Sequence, residues 1–139
     1  MTETKRLKWL RVALVAFGMI FLVGLYLLGL VWPSGWSWHT GYSDYYLMIV
    51  GVYATLGIFL IAAARDPLAN RSLIQFTIWS SVVHGLIMTF QSFGPGSHGH
   101  LMGDVPALFL VAVVLGVLMP RSGKPLPLPV ASESRAVGP

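Results

Sequence analysis

"LIQFTIWSSVVHGLIMTFQSF", Leu73–Phe93, is one apolar run interrupted by a histidine, two glutamines and small hydroxyls. Its length matches the about 20 residues with which a helix crosses about 30 Å of hydrocarbon. Backbone groups in lipid find no water, so a helix is the form that satisfies them; barrel strands would alternate and be half as long. The polar residues are not scattered. Thr77, Ser81, His84, Met88 and Gln91 follow steps of four, three, four and three, which keeps them along one stripe. Ser80 flanks that stripe, and the other faces carry Val, Ile, Leu, Phe and Trp79, suited to lipid. The stretch reads as a membrane helix with a seam turned toward its neighbours.

Three further apolar runs, about 9–32, 45–64 and 101–119, have the same character. The 139 residues are only 10% charged and the mean hydropathy is +0.73, against about 25% charged residues in soluble domains. The expected fold is all-α: an integral membrane four-helix bundle, up-down-up-down, within a single domain over residues 1–119. Residues 1–8 read as a basic N-terminus. The run that follows is too long for a signal-peptide core and ends in "VWPSGW" rather than a small-residue cleavage site, so it reads as a retained first helix. The absence of cysteine excludes disulfides, thiolate ligands and thiol redox chemistry.

Cations set the expected orientation. Lys5, Arg6, Lys8 and Arg11 precede or open helix 1, Arg65 and Arg71 lie between helices 2 and 3, and Arg121, Lys124 and Arg135 follow helix 4. The other two loops hold no Lys or Arg, so the positive-inside rule puts both termini and the middle loop in the cytoplasm. The pI of 9.8 thus reports topology and contact with the lipid bilayer rather than nucleic-acid binding.

The loops add detail. "WPSGWSWHTGYSDYY", Trp32–Tyr46, is an aromatic cluster that reads either as an interfacial belt or as a lid over a pocket. In "ARDPLANRS", Asp66-Pro67 stops helix 2, and Asn70 or Ser72 is placed to cap helix 3. So short a connection makes helices 2 and 3 antiparallel neighbours. "PRSGKPLPLPVASESRAVGP", 120–139, reads as a flexible proline-rich cytoplasmic tail.

Depth counting pairs the polar residues. Tyr53 lies about 12 Å below the start of helix 2 and His84 about 13 Å from the end of helix 3 at the 1.5 Å rise, so a Tyr53–His84 hydrogen bond is expected. Tyr46 shares the Tyr53 stripe, and Tyr26 on helix 1 is placed to join them. Gly51 and Ala54 offer small surfaces for close helix approach. In "HGHLMGDVPALF", His100 and Asp104 share a face if the helix already runs there; the rival is Asp104 capping a helix that begins at Val105. Helical turns before Pro106 are expected, because a start at Val105 leaves about 22 Å of helix.

These residues point to a polar pocket in the outer half of the bundle, with Tyr26, Tyr46, Tyr53, Ser81, His84, Met88, Gln91, His100 and Asp104 as candidate lining residues. Several chemistries compete there. Burial disfavours imidazolium, so His84 reads as a neutral ring that either ties helices together or contacts a ligand. Haem or a pigment is a further option, although a second axial histidine at that depth is missing. His39, His98, His100 and Asp104 are weak metal candidates, since HxH and HxxxD spacings are not diagnostic. A relay through Asp104, His100 and His84 would suit a proton- or metal-coupled transporter. Hydrolase, kinase and phosphate-loop signatures are absent, and no cofactor is required by the sequence.

"MIVGVYATLGIFLIAAARDPLANRSLIQFTIWSSVVHGLIMTFQ" and "GHLMGDVPALFLVAVVLGVLMPR" resemble small bacterial four-helix membrane proteins grouped as a domain of unknown function. More distantly they are similar to the DoxX-like group, some of whose members are implicated in membrane redox chemistry. The resemblance implies the fold and a membrane location, and carries no catalytic residue over. The leading expectation is an accessory or binding subunit, a partner of a larger membrane complex or the holder of a hydrophobic ligand. The alternative is a DoxX-like oxidoreductase in which His84 and Tyr53 bond quinone carbonyls and Asp104 supplies protons.

Overall fold

The computed structural model describes residues 2–36, 43–94 and 98–120, with Gly35 and His98 described as backbone. Four segments are long and apolar enough to cross a membrane. They are α1 (Glu3–Val31), α2 (Asp44–Ala63), α3 (Arg71–Gln91) and α4 (Asp104–Leu118). A single 3-10 turn, His98–Leu101, precedes α4. The proline-rich residues 121–139 and His39 lie outside the described residues.

The expected spans hold, with one marked shift. α1 begins at Glu3 rather than near Trp9. Its first turns carry Glu3, Lys5, Arg6 and Lys8, straight-chain residues that sit well in a helix, so no residue after Thr2 stops it. At the start of α2, Ser43 Oγ accepts the Tyr46 N–H at 3.2 Å, and Asp44 favours the same positive end. α3 departs from expectation: Asn70 occupies the cap position without capping. Its amide instead donates to the Asp66 carbonyl at 2.9 Å, and Asp66 Oδ1 accepts the Ala69 N–H at 3.2 Å. The loop's own turn takes the side chain that the helix end would have used.

α4 lies between the two readings of its start. Gly103 is the cap and Asp104 the first helical residue, which puts Pro106 in the first turn, where its missing N–H costs nothing. The 3-10 turn ahead of it extends the span to Gly99–Leu118.

Packing divides the bundle into pairs. α1 packs on α2, α3 on α4, and α1 also meets α4, whereas α2 and α3 touch sparsely despite their short connection. Loop 64–70 joins these two neighbours, and the contact between them along their length is slight. Gly18 and Gly57 bring α1 and α2 backbone to backbone. A Cβ at Gly18 would stand 2.8 Å from the Gly57 carbonyl oxygen, and one at Gly57 2.9 Å from the Leu22 nitrogen. Gly51, expected to serve close approach, faces open space. On the other pair, the Phe109 ring lies over Gly85.

The two ends differ. At the end bearing Arg71, Leu10, Leu14, Leu60, Ile74 and Leu115 are fully buried in one cluster with Met119. Arg71 ties the end of α4 to the start of α3 by donating to the Pro120 carbonyl at 3.1 Å. At the other end, the helical turn Pro33–Trp36 packs on His98–Leu101, where Gly99 leaves room for the Ser34 backbone. Large apolar side chains such as Val52, Phe76, Trp79, Phe90 and Val113 are exposed around the bundle. Lipid covers such a surface, so close packing and interhelical hydrogen bonds, rather than expulsion of water, hold the helices together.

Candidate functional site

Where α2 and α3 part, the four helices enclose a partly open cavity of about 950 Å³ toward the Trp36 end. Its wall on α1 is set by an irregular turn. Ile20–Gly24 is π-helical, and the Leu25 N–H bonds back to the Ile20 carbonyl. Ile20 and Phe21 of that turn line the cavity, with Leu25 just beyond it. π turns recur at functional sites because the wider coil re-aims side chains.

Tyr46 fastens α2 to α1 beside this turn. Its hydroxyl donates to the Leu25 carbonyl at 2.7 Å. Gly29 makes this possible, since a Cβ there would overlap the Tyr46 hydroxyl. Deeper, the Tyr53 hydroxyl and His84 Nδ1 lie 2.6 Å apart and bridge the parted helices. With the phenol donating, Nδ1 is the bare nitrogen and Nε2 carries the proton. The Phe21 ring meets Tyr53 edge-on, centroids 5.0 Å apart, which fixes the phenol's plane.

Asp104 adds a carboxyl group to the wall. Its Oδ2 is 2.8 Å from Nδ1 of His100, a side chain only 2% exposed. Asp104 Oδ1 and Trp36 Nε1, buried atoms of two wall residues, have no hydrogen-bond partner among the described residues, and the same holds for Arg6 Nε and Arg71 Nη1 elsewhere.

Of the residues singled out in the sequence, Tyr46, Tyr53, His84, Met88, Gln91 and Asp104 line this cavity. Tyr26, Ser81 and His100 do not. Tyr26 is 47% exposed, because one residue past Leu25 turns it about 100° around the helix to the outer surface. Ser81 is buried within the α3 seam, as is Thr77, whose hydroxyl donates to the Leu73 carbonyl. His100 stands behind Asp104. Among the described residues no three His, Asp or Glu side chains converge on a point that would hold a metal. His39 lies outside the described residues, as does the side chain of His98. Among the described residues His84 is the one histidine on the wall.

Sequence reasoning missed Trp36, Ser43 and Phe21 as wall residues. Trp36 belonged to the aromatic cluster already noted; which members of that cluster turn inward depends on the packing of Pro33–Trp36 against His98–Leu101. Phe21 carried no polar signal, and its place follows from the π turn.

The chain belongs to the family of unknown function DUF6632, which its residues 4–135 match. It is also similar to ferric-chelate reductase 1 of Bos taurus, at 42% identity over 57 residues. That stretch is 40% of this chain and 10% of the reductase, so the chain spans about a tenth of that relative's length. No solved structure matches the chain.

Proposed function

We propose that this DUF6632 chain is a membrane binding protein that holds a lipid-soluble small molecule in the cavity between α2 and α3. The observation that carries this reading is the contrast between the two ends of one bundle. The Arg71 end is packed solid, while the Trp36 end gives up contacts to a cavity of about 950 Å³ onto which Tyr53, His84, Gln91 and Asp104 converge. Membrane helices depend on packing for their cohesion, so such a cavity is a sacrifice unless an occupant restores the contacts. Ligand sites are commonly about 300–1,000 Å³, mostly apolar, with a few polar groups that orient the guest.

The orientation we propose puts the Arg71 end in the cytoplasm, supported by Lys5, Arg6, Lys8, Arg65 and Arg71 gathered at that end. The cavity then opens on the outer half.

A thermal assay tests the reading. Protein stripped of lipid and reconstituted in nanodiscs of one synthetic phosphatidylcholine is heated with and without total membrane-lipid extract. The extract should raise the unfolding midpoint of the wild type and not that of Ala107→Trp, which fills the cavity. Equal shifts in both proteins would contradict it.

A second reading has specific support. The Tyr53–His84 pair has the hydrogen-bonding groups to hold a quinone carbonyl, and a reductase is among the similar proteins. In that case the isolated protein binds a quinone, read as a raised unfolding midpoint that Tyr53→Phe and His84→Ala abolish; no shift in the wild type would contradict it.

A further inference from the structure

α1 is longer than the other spans, 29 residues against 20, 21 and 20. The excess lies at the Arg71 end. Leu10, its first buried residue, belongs to the buried cluster that includes Ala64 and Met119, the residues that close α2 and α4. Glu3–Trp9 therefore continues past that level as helix, by about 10 Å at the 1.5 Å rise. Spans of this length fill the hydrocarbon, so the extension stands in the headgroup layer, which takes a bilayer from about 30 Å to about 40–45 Å. What the extension carries is positive charge. Lys5 and Lys8 are exposed and Arg6 is half-buried. Trp9, 55% exposed, is an amphipathic ring of the kind that interfaces favour. Arg11, exposed one turn further in, has a stem long enough to bring its guanidinium to the same level. Arg65 adjoins Ala64, and Arg71 is held at this end by its bond to the Pro120 carbonyl. Against these cations stand Glu3 and Asp66, and Asp66 Oδ1 already accepts the Ala69 N–H. Among the described residues the ion pair is His100–Asp104 at the opposite end, so no carboxylate neutralises the cations here.

We infer that this end of the bundle is a docking surface for anionic phospholipid, whose headgroups the extended turns of α1, together with Arg65 and Arg71, gather from a mixed leaflet. The extension meets lipid phosphates before anything else, because it emerges at their depth. Guanidinium forks match phosphate oxygens two at a time, and ammonium groups add point charge. A zwitterionic headgroup brings its own cation and gains little, whereas a headgroup of net negative charge gains from every Lys and Arg nearby. Each such residue multiplies partition to an anionic surface by up to about fivefold, within a Debye length. The surface lies at the opposite end from the cavity, and the inference does not depend on the cavity holding a guest.

The test equilibrates the full-length protein with mixed micelles of phosphatidylcholine and phosphatidylglycerol in equal amounts and with the same acyl chains. The protein is re-isolated by size exclusion and its bound phospholipid is quantified by mass spectrometry. Wild type should retain phosphatidylglycerol over phosphatidylcholine at least tenfold at about 0.1 M salt. The preference should approach parity at about 1 M, where the screening length falls from about 10 Å to about 3 Å. The triple variant Lys5→Gln, Arg6→Gln, Lys8→Gln should cut the preference at least fivefold, with an unchanged thermal midpoint in phosphatidylcholine micelles. Lys5→Gln and Lys8→Gln, each a change at an exposed position, should lower it singly, and Lys5→Arg with Lys8→Arg should keep it. Parity in the wild type, or a preference that survives both the triple and the single variants, would overturn the inference. So would displacement of phosphatidylglycerol by inorganic phosphate beyond that by chloride at equal ionic strength, which would mark a site for the free anion. A preference seen only in Glu133→Gln would also overturn it, since the surface would then belong to the chain's own residues 121–139.

Discussion

Tyr53 and His84, with 2.6 Å between the phenol oxygen and Nδ1, join two helices that otherwise barely touch. The bond spans the cavity's deep edge and holds α2 against α3 after their connecting loop has let them diverge. Hydrogen bonds between membrane helices average about 0.6 kcal/mol and reach about 1.7 kcal/mol. Tyr53→Phe and His84→Ala should therefore each destabilise the bundle by about 1 kcal/mol, and the double variant by little more than either. Unfolding in mixed micelles over a graded denaturing detergent measures this. Fully additive effects would show that the two side chains act independently.

Gly18 and Gly57 make a second prediction. With carbonyl and amide atoms within 3 Å of where a Cβ would stand, Gly57→Leu should separate α1 from α2 and give an aggregated or degraded product. Gly51→Leu, on the open side of the same helix, should behave as wild type. Size-exclusion profiles of the solubilised proteins decide it; similar profiles for both variants would refute the packing described.

The Tyr46 anchor predicts a matched pair. Gly29→Ala should expel the Tyr46 hydroxyl from the Leu25 carbonyl, and Tyr46→Phe should remove the same bond without crowding. Each is expected to cost about 1 kcal/mol, with Gly29→Ala the larger because the ring must also move. After Tyr46→Phe, the added cost of Gly29→Ala should shrink but not vanish, since the ring remains. Thermal midpoints of the wild type, the two single variants and the double variant in one detergent check this.

Orientation is tested by reporters. A phosphatase active only outside the cytoplasm should be silent when inserted after Pro67 and active when inserted after Gly94. The reverse pattern would invert the topology proposed from the cations.

The four spans and the Tyr53–His84 bond were legible in the sequence because both follow from length and rise. An apolar run of fixed reach has few ways to lie in a bilayer, and counting inward from the ends puts Tyr53 and His84 level. Residues whose placement depends on azimuth rather than depth were less legible. Tyr26 lies at a suitable depth and faces outward. Ser81 and His100 lie close to the site yet not on its wall. The π turn at Ile20–Gly24 has no proline or polar residue to mark it, and the pairing of Gly29 with Tyr46 joins positions with no local pattern. Such features are set by tertiary fit between helices, which a single chain's periodicity does not encode.

The central claim is that the cavity between α2 and α3 holds a guest. Native mass spectrometry of the protein released gently from its own membranes addresses it most directly. Wild type should carry an added mass of small-molecule size, reduced at least tenfold in Ala107→Trp prepared in parallel. An identical spectrum of bound species in the two proteins, or none in either, would contradict the account.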